Sequence, residues 1–211
     1  MSVSGSYEVA QGFTNRQWQL LDLPLDSPTT SDWYKAINML RSRFEDRFFD
    51  ACDELIRQGE LRASGGGSQR FGFSIVSLDF MIMESLQGFQ EGVLDHTRKS
   101  ECLISRFLKS WPTFNDALPT HKLDANHWAK ILYKDCRCAL HHTASTSGNV
   151  IIGISGKALL FSSDNSVKIN RTEFHRSLKK KFESYLEQLK LVGNKELRQN
   201  FKSKMDAICG T

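Results

Sequence analysis

The stretch that most constrains the fold runs from Phe73 to Gly92 and reads FSIVSLDFMIMESLQGFQEG. A helix drawn through it is apolar on nearly every side. Such a helix has to be buried over most of its surface, in a core or an interface. Two carboxylates, Asp79 and Glu84, interrupt the run. A carboxylate removed from water is costly unless it is paired and hydrogen-bonded. Two readings follow. Either one or both acids sit at the rim of the buried surface, or one of them holds a buried or half-buried arginine. Arg137 is the candidate for that partner.

Around this helix the chain supplies more helices than strands. Ser31 or Thr30 caps a long helix, with Asp32 in its first turn. Trp33, Ile37, Leu40, Phe44, Phe48, Cys52 and Leu55 recur at steps of three and four and give it one apolar face. Gly59 is read as its end. A Gly-rich surface loop follows. It is no phosphate-binding P-loop, because Ser-Gln-Arg stands after the glycines where Gly-Lys-Ser/Thr is required. A third helix spans about 99–110 and stops before Pro112. A fourth spans about 124–142. Val150–Ile154 and Ala158–Phe161 are short and β-prone and read as a hairpin, with Val167–Ile169 as an added edge strand. Asn170 and Glu173 open a further helix with Phe174, Leu178, Phe182, Tyr185 and Leu189 inside. A last helix covers about 195–208. The expected fold is mainly α. Residues 1–30 form an irregular lead-in, and 31–211 form a single helical bundle with a small β insertion at about 149–169.

Charge and composition narrow the function. No apolar run approaches the roughly 20 residues that cross a bilayer, so no membrane partner is expected. The N-terminus lacks a basic segment followed by an apolar one, and a cytoplasmic location is expected. Five cysteines, Cys52, Cys102, Cys136, Cys138 and Cys209, are an odd number for a disulfide framework and suit free thiols. Cys136 and Cys138 stand near His141 and His142, but residues two apart on a helix point to nearly opposite sides. No metal and no cofactor is expected there. Between Lys168 and Thr211, eleven lysines and arginines stand against five acidic residues. That excess is read as a solvated helix face or as a surface that attracts RNA. His96, His121, His127 and His175 have no acid or nucleophile at an interpretable spacing and are read as surface or structural residues.

The remaining motif is YKDCRCALHHTA, Tyr133 to Ala144. Arg137 is followed by four residues and then His142, an R-x4-H pattern. Tyr133, Cys138 and Leu140 surround it, and E-x-L-x-G-F-x-x-G (Glu84 to Gly92) precedes it. These features resemble the HEPN superfamily over about 73–191. The resemblance implies a helical bundle that dimerises, with the motif helices of two protomers facing each other. It implies a metal-independent endoribonuclease of the toxin–antitoxin or phage-defence kind, with RNA as substrate and an antitoxin or defence protein as a further partner. Arg137, His142 and His141 would be catalytic, and Glu84, Asp79 and Tyr133 supporting. Other members have lost activity and only bind a partner protein or a nucleotide. Cys138 favours that alternative, since many active members carry a polar residue there. Some members carry a tyrosine two residues beyond the histidine that is nucleotidylated to silence the enzyme. Ala144 stands there, so that control is not expected.

The chemistry suits the residue types. An imidazole titrating near neutrality moves a proton from the 2′-hydroxyl or to the leaving 5′-oxygen. A guanidinium holds the phosphate by two hydrogen bonds. The family spacing selects His142 first and His141 second. Ideal helix geometry prefers His141, because a residue four places on returns to nearly the same face. A local widening of the helix near Thr143 would reconcile the two, as would a His142 that serves the arginine of a partner chain.

Overall fold

The computed structural model describes residues 5–68, 70–119 and 124–210. The first four residues of the lead-in and His121 lie outside them. The chain is mainly helical with small sheets. Its contacts fall into two compact units.

The first unit comprises residues 1–50, 88–96 and 182–211. The lead-in is more regular than its composition suggests. Strands β1 (Glu8–Ala10) and β2 (Phe13–Thr14) pair antiparallel, and α1 (Asn15–Gln19) follows. Thr14 and Gln17 form a reciprocal capping box at the start of α1. Helix α2 (Ser31–Phe44) is capped by Thr30, whose side chain accepts from the Trp33 N–H at 3.3 Å.

A π-helical turn, Glu45–Phe49, succeeds α2. It moves the buried stripe on by one residue. Phe49 is buried, five places after Phe44, whereas a regular helix would have presented Phe48. Phe44 stacks on Phe182 at 4.9 Å, and Phe49 lies 5.2 Å from Phe182. Trp18 and Trp33 pack on Phe201 of α10 (Lys195–Cys209). Arg198, fully buried, donates to the carbonyls of Leu189 and Val192 and so satisfies the chain end that follows Leu189.

The second unit comprises residues 51–87 and 97–181. It holds most of α3 (Asp50–Ser64) and α4 (Gly72–Glu91), then α5 (Ser100–Lys109), α6 (Pro112–Asn115) and α7 (Ala125–Ile131). After α7 come a second π-helical stretch, Leu132–Cys138, α8 (Ala139–Thr143) and the start of α9 (Arg171–Leu189). Helix α5 ends ahead of Pro112 as expected, and Trp111, the residue before the proline, is extended. The proline opens α6 at a position whose N–H needs no helical partner.

Gly59 is not the end of its helix, since α3 runs on to Ser64. The buried guanidinium of Arg171 passes beside it, and a Cβ at Gly59 would sit 2.6 Å from Arg171 Nη2. The glycine provides room for that arginine.

The β segment also differs from the expected hairpin. Strands β3 (Val150–Gly153) and β4 (Leu159–Phe161) do not pair with each other. Both pair with β5 (Val167–Asn170), which lies between them, parallel to β3 and antiparallel to β4. The expected edge strand is thus the centre. Its Val167 and Ile169 are fully buried, and a central position satisfies the backbone on both sides of such a strand. Asn170 fixes the crossing loop by donating from its side chain to the Gly156 carbonyl at 2.7 Å. Trp128 rests 4.6 Å from Phe161, and Trp111 meets Phe174 edge-on at 5.1 Å.

Candidate active site

The π-helical stretch Leu132–Cys138 places the motif arginine. In a π-helix the residue five places on comes back into register. Tyr133 and Cys138 accordingly meet by their side chains. Burial first, and then this thiol neighbour, push the Tyr133 hydroxyl above its ordinary value. The Arg137 guanidinium carbon stands 5.9 Å from the centre of the Tyr133 ring, within the range of a cation–π contact.

Helix α4 contributes the carboxylate. Glu84 Oε2 accepts from Arg137 Nη2 at 3.0 Å, and Glu84 Oε1 accepts from the Ser100 hydroxyl at 2.7 Å. The two charged side chains are 25% and 14% exposed. The pair is therefore partly withdrawn from water, a setting in which an ion pair fixes orientation better than it does on an open surface. Glu84 takes one of the arginine's N–H groups and leaves others for an anion.

Arg137 and His141 line one pocket of about 230 Å³, together with Ser77, Phe80, Met81 and Leu140. His141 stands four places after Arg137, in the regular helix Ala139–Thr143 that follows the π-helical stretch, and the two side chains face the same pocket. His142 does not line the pocket. Its ring meets that of His141 edge-on, with centres 5.0 Å apart, and both histidines are exposed. The widening of the helix occurs at Leu132–Cys138, ahead of the histidines and not near Thr143.

Asp79 does not reach Arg137. It is completely buried and forms a 2.6 Å hydrogen bond with His175 Nδ1. The physical reason is angular. Five residues on a helix turn through about 500°, so Asp79 and Glu84 point some 140° apart and cannot serve one guanidinium. Burial raises the Asp79 carboxyl above its ordinary value, and the His175 contact pulls in the opposite direction.

His175 is thus the functional-type residue the sequence reading passed over. It is fully buried, and Cys52 lies beside it. One signal was available: Asp79, His175 and Cys52 all lie on or next to the apolar stripe of their helices. Of the other histidines, His96 Nε2 lies 2.7 Å from Lys204 Nζ, and His127 meets Trp128 edge-on.

Comparison of the chain with protein-family models, with curated proteins and with solved structures finds no match.

Proposed function

We propose that this chain is a metal-independent endoribonuclease of the HEPN type, acting as a homodimer in a toxin or phage-defence role. The observation that carries the proposal is the half-buried Glu84–Arg137 pair opening onto a pocket shared with His141. Arg137 would hold the scissile phosphate with the N–H groups that Glu84 leaves and offset charge as it builds on the phosphorane-like state. His141 would move the proton. The 2′-hydroxyl attacks the adjacent phosphorus and loses its proton, the bond to the 5′-oxygen breaks, and that oxygen gains a proton. The products carry a 2′,3′-cyclic phosphate and a 5′-hydroxyl.

Two proton transfers call for two groups. A two-fold dimer would supply a second set, and His142, exposed and outside its own arginine's pocket, would be available to the partner. Phe73 and Met81 support the dimer. They are 45% and 52% exposed on the helix that lines the pocket, and a monomer gains nothing from leaving them bare. Light scattering at tens of micromolar protein should give twice the chain mass; a monomer there argues against the composite site.

The test of activity is cleavage of structured and unstructured RNA in EDTA, beside Arg137→Ala. Loss of cleavage in the variant supports the enzyme. Cys138, and the neutralisation of Arg137 by Glu84, favour the second reading, a HEPN module that binds a partner protein or nucleotide without cutting. RNA that stays intact with wild type and variant alike would select it.

A further inference from the structure

Three helices converge on a second polar cluster that the ribonuclease reading does not use. Cys52 comes from α3, Asp79 from α4 and His175 from α9. All three side chains are completely buried. One donor atom from each, a thiol sulfur, a carboxylate oxygen and an imidazole nitrogen, lies within 4.8 Å of the other two. In a tetrahedral zinc site with metal–ligand bonds of about 2.0–2.3 Å, donor atoms stand roughly 3.3–3.7 Å apart. A contraction of about one ångström, within reach of side-chain rotation, would close the cluster on one ion.

A second observation points the same way. Asp79 Oδ1 is engaged by His175, but Asp79 Oδ2 is buried and has no hydrogen-bond partner among the described residues. A carboxylate oxygen left bare in a fully enclosed position is uncommon in folded proteins and calls for an explanation. A cation supplies one. A thiolate and a carboxylate together balance a divalent charge, and the imidazole binds it as a neutral ligand.

We propose that Cys52, Asp79 and His175 bind one structural zinc ion. The mixture of soft sulfur, borderline nitrogen and hard oxygen suits zinc better than magnesium or calcium, which take oxygen ligands. Asp53 would orient the imidazole from the far side of the ring: its Oδ1 lies 3.5 Å from His175 Nε2, while Asp79 faces Nδ1, and Lys179 donates to Asp53 Oδ2 at 2.7 Å and holds it in place. Asp53 is half exposed and marks the side on which the site meets solvent. The ion would hold three helices of the second unit together. It takes no part in RNA cleavage, and its existence is independent of that activity.

The experiment unfolds the full chain in guanidinium with a chelator and a reductant, removes the metal, and refolds it with and without zinc. Metal per chain is read by elemental mass spectrometry, and cobalt(II) replaces zinc for spectroscopy. The expected result is one zinc per chain and a sulfur-to-cobalt charge-transfer band in the near ultraviolet. Zinc at about 100 times its dissociation constant should also raise the unfolding midpoint by roughly 5–11 °C. Cys52→Ser should abolish the cobalt band, and His175→Gln should lower the bound metal to background. If a variant does not fold, the wild-type metal content, cobalt spectrum and thermal shift still decide the matter. Background metal in the refolded wild type would overturn the proposal and leave a buried Asp79–His175 pair. Stoichiometric zinc that persists in both folded variants would overturn it equally, since the ion would then sit elsewhere. Neither result touches the cleavage assay in EDTA, whose outcome turns on Arg137.

Discussion

The Glu84–Arg137 pair should be worth about 2 kcal/mol to the fold and more to the site. Unit charges 4 Å apart attract by about 4 kcal/mol at an effective dielectric near 20. Part of that is returned as desolvation, because the side chains are only 25% and 14% exposed. A hydrogen bond to a charged group then nets about 1.5–3 kcal/mol. Replacing Glu84 by Gln keeps the shape and the contact with Ser100 but removes the charge. For a chain of 211 residues, a loss of about 2 kcal/mol lowers the thermal midpoint by roughly 4–8 °C. The pairwise part is isolated by a double-mutant cycle with Glu84→Gln and Arg137→Gln, read by urea unfolding. A coupling of about 1–2 kcal/mol is expected, since the two groups are in direct contact. RNA cleavage by Glu84→Gln should fall by about 10²-fold, because a guanidinium displaced by an ångström no longer meets the phosphate correctly. A coupling below about 0.3 kcal/mol, the scale of non-interacting sites, would refute the claim that Glu84 positions Arg137.

His141→Ala should lose activity by roughly 10²–10⁴-fold, and His142→Ala by less if it serves only the partner's site; the reverse ranking would show that family spacing, not shared pocket lining, selects the catalytic group. Ala144 closes α8 at φ +54°, in the left-handed region. Ala144→Gly relieves that strain and should raise stability by about 0.5–1 kcal/mol, measured by thermal melting. The raised Asp79 carboxyl has a pH consequence for metal-free protein. Its contribution to folding is fully present below its ordinary value of 3.8 and is lost as pH rises through the higher folded value. Urea titrations over that range should show wild type losing ground to Asp79→Asn as pH rises, and a constant difference would refute the burial argument.

Much of the helical framework could be read from periodicity. Trp33, Ile37, Leu40 and Phe44 are buried as their spacing requires, and so are Phe174, Leu178, Phe182, Tyr185 and Leu189. The reading slips where a helix changes its pitch. Past the turn at Glu45–Phe49 the interior residues are Phe49, Cys52 and Ile56, while Phe48 and Leu55 are only half-buried. A count based on 3.6 residues per turn has no means of anticipating an inserted residue. The β segment failed for a different reason. Five residues between β3 and β4 fit a hairpin loop equally well, and only the burial of Val167 and Ile169 decides that β5 separates them. That Asp79 or Glu84 would hold Arg137 was legible, because a carboxylate on an apolar helix needs a cation; which of the two it would be was not. His175 was not, because its acid stands 96 residues away and no local spacing links them.

Helix α4 organises the second unit through an offset of five residues. An offset of four would have aimed Asp79 and Glu84 at the same neighbour, and two carboxylates would have repelled each other around one arginine. Five residues separate their directions by about 140°. Glu84 turns to the motif arginine, while Asp79 turns to the helices that carry Cys52 and His175. The motif helix makes a complementary adjustment. Its widened stretch, Leu132–Cys138, brings Tyr133 against Cys138 and sets the ring near the guanidinium; the helix is regular again before His141. The R-x4-H pattern counts residues, whereas the pocket depends on angles. Arg137 lies near the end of the wide stretch and His141 in the regular helix that follows; both line one pocket, which His142 does not, and that placement makes His141 the residue to mutate first.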